Sequence, residues 1–159
     1  MANEQVNVTE PRDWLSLLPH QPPMRLVEQV LDVTPGVSAR CIRVTRPDDW
    51  FFQGHFPGQP VVPAIILVEL LAQTGGLAIG STASAGDQGG EADSTTPTLA
   101  LRVAAFGGFK FPRAAGPGMT LEAGARLAGR MGGLYKIEGE VTADGQVVAS
   151  GALTLAEAR

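Results

Sequence analysis

A chain of 159 residues and 16.6 kDa is the size of one domain with a core of its own. Its 44% hydrophobic and 18% charged residues exclude a disordered chain, and a net charge of −4 argues against a general nucleic-acid binder, which needs accumulated Lys and Arg. The charge is uneven: residues 1–97 carry 5 basic and 11 acidic side chains and residues 98–159 carry 7 and 5, so any basic surface belongs to the second half.

Residues 1–10 read as a flexible tail without the basic and apolar blocks of a signal peptide. A single domain is expected over 11–157. It opens with a short helix from about Asp13, carrying Trp14, Leu15, Leu17 and Leu18 and ended by Pro19. Residues 24–33 and 37–46 read as two strands around the turn dipeptide Pro35-Gly36. Cys41, in the second of them, is the lone cysteine and is expected as a small core hydrophobe. With no second thiol there is no intramolecular disulfide, no thiol pair for a metal, and the expected compartment is the reducing cytoplasm.

Residues 48–63 are dense in Gly, Pro and aromatics and are expected to be irregular. Pro63 suits a first helical position, where a missing N–H costs nothing. From Ala64 to about Gly80 the chain is apolar on nearly every face, the mark of a buried helix. A membrane span would place Glu69 near the bilayer centre, which is costly, so a core helix is the better assignment. Residues 81–97, rich in Gly, Ser and Asp, read as a flexible loop.

Beyond the loop the period switches to two. Leu99, Leu101, Val103 and Ala105 share a face, with Phe109 and Phe111 continuing it past a Gly107-Gly108 bulge. Met119, Leu121, Ala123, Ala125 and Leu127 alternate with polar or small residues, as do Tyr135, Ile137 and Val141. Asp144-Gly145 is a two-residue hairpin signal leading into 147–155. One buried helix followed by long alternating strands predicts an α+β fold, an antiparallel sheet wrapped around a long central helix.

The chemistry concentrates in FFQGHFPGQPVVPAIILVELLAQTGG, residues 51–76. His55 stands in a Gly/Pro loop ahead of the helix, and Glu69 stands two turns inside it. A carboxylate among Leu and Val either pairs or faces a solvent gap, or else its pKa is raised by desolvation so that it can donate a proton near neutral pH. The helix start supplies unpaired N–H groups suited to an oxyanion. A base, an acid and oxyanion donors are what β-elimination from an acyl thioester requires. His20, the second histidine, is expected to pack or hydrogen-bond within its loop.

These residues resemble the β-hydroxyacyl-acyl-carrier-protein dehydratases of bacterial fatty-acid synthesis. The signature GHFPGxPVxPxxxxxExxAQ carries the likeness, supported by LLPHQPPMRLVEQVLDVTPG before it and FKFPRAAGPGMTLE and YKIEGEVTADGQVVASGALTL after it, over about residues 15–156. The resemblance implies a hot-dog fold, no cofactor or metal, and His55 and Glu69 as the catalytic pair, with the backbone amide of Ala64 as oxyanion donor. Phe52, Phe56, Gly58, Val61 and Pro63 would line the acyl group. It further implies a homodimer, or a trimer of dimers, whose sites join one subunit's histidine to the other's carboxylate. The substrate would be a (3R)-3-hydroxyacyl group on the phosphopantetheine arm of acyl-carrier protein, dehydrated to the trans-2-enoyl product. Because such carriers are acidic, Lys110, Arg113, Arg126 and Arg130 are the candidate docking residues. The chain departs from the family pattern at Ala64, where glycine is usual, at Val62, Gln21, Gln29 and Arg25, and in a longer 105–118 stretch. Two other functions compete: a hot-dog acyl thioesterase, and a non-catalytic acyl-binding partner subunit.

Overall fold

The computed structural model describes residues 13–85 and 100–158; the 1–10 tail and most of the expected 81–97 loop lie outside them. The elements run β1 (Gln29–Thr34), β2 (Ser38–Val44), α1 (Ala64–Ala85), β3 (Leu101–Lys110), β4 (Thr120–Met131), β5 (Leu134–Ala143) and β6 (Gln146–Glu157), with short 3-10 turns at Trp14–Leu17 and Trp50–Phe52. All six strands form one antiparallel sheet in the order β1-β2-β4-β5-β6-β3. The expected α+β layout of a sheet around one central helix is what forms.

Alternation explains which face closes on the helix. Leu121, Ala123 and Ala125 on β4, Tyr135, Ile137 and Val141 on β5, and Leu153 and Leu155 on β6 are buried, while Arg126, Lys136 and Glu140 between them are exposed. Helix α1 packs against β2, β4, β5 and β6. At Gly139 the packing is so close that a Cβ would meet Gly124 O at 2.1 Å and Leu71 Cδ1 at 2.9 Å. The segment Ala64–Thr82 is long and apolar enough to cross a membrane, yet 72% of it is buried in the fold, as a core helix must be. Cys41 is buried, as expected, and that burial pushes its thiol up to about 11.

Five expectations shift. The first helix is a single 3-10 turn. Helix α1 continues through Ala85, five residues past Gly80. Pro63 stands one residue ahead of it and accepts from Ile66 N–H at 2.9 Å. Residues 24–28 are not strand, because the buried Gln73 side chain claims their backbone: its Oε1 accepts from Leu26 N–H at 2.9 Å and Val27 N–H at 3.4 Å. On β3 the Gly107 bulge forms, but a second irregularity between Val103 and Ala105 leaves Ala105 exposed.

Leu71 has no exposed surface and presses on the sheet at Gly139. Leu71→Ala is therefore expected to cost roughly 2–5 kcal/mol, read as a lower urea midpoint at unchanged slope. A loss under about 1 kcal/mol would mean that the helix does not close on the sheet as described.

Candidate active site

The loop that presents His55 is anchored at its start by ion pairs. Arg43, largely buried, holds the Asp49 carboxylate and reaches Glu28 at 3.3 Å, while its guanidinium lies 5.6 Å over the Phe51 ring. Arg46 holds Glu28 and its N–H donates to Asp49 at 2.7 Å. Burial alone would raise the Glu28 carboxyl, but Arg46 and Arg43 outweigh it and hold it below its ordinary value. The chain then turns through Gly54 and Gly58, whose φ angles of 78° and 72° suit glycine.

His55 is fixed by three contacts. Its N–H donates to Phe52 O at 3.1 Å, its carbonyl accepts from Val61 N–H at 2.8 Å, and its Nδ1 lies 2.8 Å from Val61 O. A carbonyl can only accept, so Nδ1 carries a proton, and in the neutral ring the lone pair is on Nε2. That is the tautomer a general base needs. The Phe56 ring stacks on the imidazole with centroids 4.1 Å apart and is itself 53% exposed.

Glu69 occupies a different place. With Ala72, Gln73 and Gly76 it shares one face of α1, by the three-, four- and seven-residue spacing of a helix. That face lines a cavity of about 320 Å³ closed by Leu17, Met24, Leu101, Val103 and Leu155, with Arg102 also on its wall. His55 is not among the residues lining this cavity. Within one chain the two candidate catalytic residues share neither a hydrogen bond nor this cavity wall.

The Glu69 partners are His20, whose Nε2 lies 3.4 Å from Oε1, and Gln73, whose Nε2 donates to the same oxygen at 3.0 Å. Among the described residues no arginine pairs with it. Burial pushes the Glu69 carboxyl up, but the hydrogen bonds from His20 and Gln73 outweigh burial and hold it below its ordinary value. This corrects the expectation of a carboxyl raised by desolvation. It also corrects His20: its partner is the candidate catalytic carboxylate rather than its own loop. Gln73 closes the signature read from the sequence but was given no role there, although its place four residues after Glu69 was the available signal.

The remaining expected site residues divide. Ala64 opens α1, where the first amides lack intrahelical acceptors, and Ile65 beside it is 72% exposed. Gly58 is exposed and Val61 and Pro63 are half-buried, all in the His55 loop, while Phe52 is buried against Phe51 in the core. Lys110 and Arg113 are exposed, and Arg113 stands two residues before Ala115, whose carbonyl accepts from Val62 N–H of this loop at 2.8 Å. Arg126 pairs with Glu138 and Arg130 lies 5.2 Å over the Tyr135 ring. The register Arg126–Glu138–Ala152–Gly107 puts Arg126 three strands from β3, roughly 14 Å away. Lys110 and Arg113 thus stand apart from Arg126 and Arg130, which are themselves four residues apart along β4.

A family model described as a FabA-like domain matches residues 18–152. The chain belongs to that family. It is similar to the 3-hydroxyacyl-acyl-carrier-protein dehydratase FabZ of Shewanella baltica, 35% identical over 94% of this chain and 92% of the relative. The enzyme of the same name from Oleidesulfovibrio alaskensis is 33% identical over 98% and 96%. The chain is an enzyme of this dehydratase family. Among solved structures, the dehydratase heterocomplex ApeI:P from Xenorhabdus doucetiae superposes with a TM-score of 0.75 at 21% identity, covering 94% of this chain and 93% of that one. A hypothetical thioesterase from Streptococcus pneumoniae superposes at 0.57 with 10% identity. Both share the fold, which is the hot dog.

A carboxyl lowered in the folded state contributes stability above its unfolded value of 4.5 and loses it as pH falls through the lower folded value. The stability of the wild type minus that of Glu69→Gln is thus expected to be constant near neutrality and to fall below about pH 4.5. Urea titrations across that range measure it. A difference that stays flat would mean Glu69 is not held ionised by His20 and Gln73.

Proposed function

We propose that the chain dehydrates (3R)-3-hydroxyacyl thioesters on acyl-carrier protein to trans-2-enoyl thioesters. It does so in fatty-acid synthesis, as a soluble cytoplasmic dimer or trimer of dimers. The observation that carries this is the division of the site: His55 offers a free Nε2 outside the cavity, and Glu69 stands as a carboxylate on the wall of an otherwise mainly apolar cavity. Each is half of an acid/base pair, and a second copy supplies the other half. The names of the relatives, dehydratases of carrier-bound 3-hydroxyacyl groups, support the substrate class.

In this mechanism Nε2 of His55 takes the C2 proton. Charge that develops on the thioester oxygen is held by the Ala64 amide at the start of α1. Glu69 of the partner subunit gives its proton to the departing C3 hydroxyl, which leaves as water. A second subunit and an acyl chain over the cavity exclude solvent, which pushes the Glu69 carboxyl up toward the protonated form it needs. Phe56, Gly58, Val61 and Pro63 flank the thioester from the loop side. Phe52 supports them from the core. Lys110 and Arg113 meet the acidic carrier protein; Arg126 and Arg130 form a second, more distant contact.

His55→Ala and Glu69→Gln are each expected to cut enoyl formation about 100-fold or more while leaving the fold intact. The assay follows enoyl absorbance and free thiol together on a 3-hydroxyacyl thioester. Enoyl without thiol is the expected result. Thiol release would make the protein a thioesterase, and neither signal would make it a non-catalytic partner.

A further inference from the structure

Gln73 is 1% exposed and uses its full hydrogen-bonding capacity. Its Oε1 accepts from Leu26 and Val27, and its Nε2 donates to Met24 O at 2.8 Å and to Glu69 Oε1 at 3.0 Å. This amide ties the segment 24–27 to α1, and His20 lies four residues upstream of Met24. The clamp fixes the segment that places His20 Nε2 3.4 Å from the same Glu69 oxygen. His20 also lines the cavity.

The other nitrogen of His20 leaves Nε2 as its contact to the site. Nδ1 is buried without a hydrogen-bond partner among the described residues. Nε2 is the ring nitrogen that faces Oε1, at 3.4 Å. Both groups that approach Glu69 meet the same oxygen, and no partner among the described residues engages Oε2. The charged and titratable groups around the cavity are Glu69 from α1, His20 from the segment before β1 and Arg102 from β3.

We propose that His20 is a positioning residue for Glu69, fixing Oε1 together with Gln73 so that Oε2 faces the substrate. The role rests on the dehydration proposed above. As the C2–H pair becomes the C2=C3 π bond, the C2 proton passes to His55 Nε2 and the C3–O pair leaves with oxygen. The Oε2 proton completes the water. The carboxylate that remains is stabilised by the two N–H donors on Oε1, and solvent returns the proton from His55 to Glu69 before the next turnover.

Two variants separate positioning from bulk. His20→Phe keeps a ring but removes the donor, and His20→Gln places an amide N–H at similar reach. The phenylalanine variant is expected to lose about tenfold or more in kcat with KM nearly unchanged. The alkaline limb of its pH profile, where the Glu69 acid ionises, should move to higher pH, because the carboxylate has lost a donor. The glutamine variant should recover most of both. Carbon NMR of the Glu69 carboxyl, assigned by its loss in Glu69→Gln, reads the same contact without turnover. It should titrate higher in His20→Phe and near wild type in His20→Gln. An unmoved carboxyl in His20→Phe, or equal kcat losses in the two variants, would overturn the inference. Absence of enoyl formation by the wild type would instead overturn the dehydration itself, and the NMR titration would still decide the role of His20.

Discussion

A carboxylate two turns inside an apolar helix is the constraint around which this fold is arranged. Helix α1 must be buried, because it is apolar on almost every face, yet Glu69 cannot be buried alone without a large desolvation cost. The chain resolves the conflict on one face. Gln73 and His20 both donate to Glu69, and a cavity is left open beside it. The sheet then covers the rest of the helix, with Leu71 against Gly139 and Gly75 against Ile137 at the tightest approaches. The polar frame also shapes the segment before β1, which gives up strand pairing to bind the Gln73 amide.

His55 is governed by a different local logic. Its loop is held at one end by the Arg43–Asp49 pair and at the other by the approach of Ala115 to Val62. Those anchors let the Val61 carbonyl choose the tautomer of His55 and leave Nε2 for chemistry. The base is thus set by backbone geometry and the acid by side-chain donors. The two meet across a subunit boundary in the mechanism proposed for this enzyme. Phe56 and Ile65, both well exposed beside His55 and Ala64, belong to the surface such a partner would cover.

Much of this was legible in the residues. The period-two runs on β4 and β5 placed Leu121 and Ile137 inward, and Asp144-Gly145 closed its hairpin as written. The signature around residues 51–76 marked both His55 and Glu69. What escaped was long-range. Met24 to Val27 look like strand by composition, and only a glutamine some 46 to 49 residues away diverts their backbone. The lowered Glu69 carboxyl escaped for the same reason, since its value depends on His20, 49 residues distant. The second irregularity on β3 left no glycine or proline to announce it, and nothing in the residues near Ala104 marks it in advance.

The central claim is that a working site needs His55 from one chain and Glu69 from another. Mixing inactive His55→Ala and Glu69→Gln proteins tests it most directly, once mass or tag pull-down shows that hybrids form. Random reassortment makes half the dimers hybrids, each with one intact site and one doubly damaged site, so activity should return to about a quarter of the wild-type level. Hybrids that form and remain inactive would mean that the two residues act within one chain, and the divided site described here would be wrong.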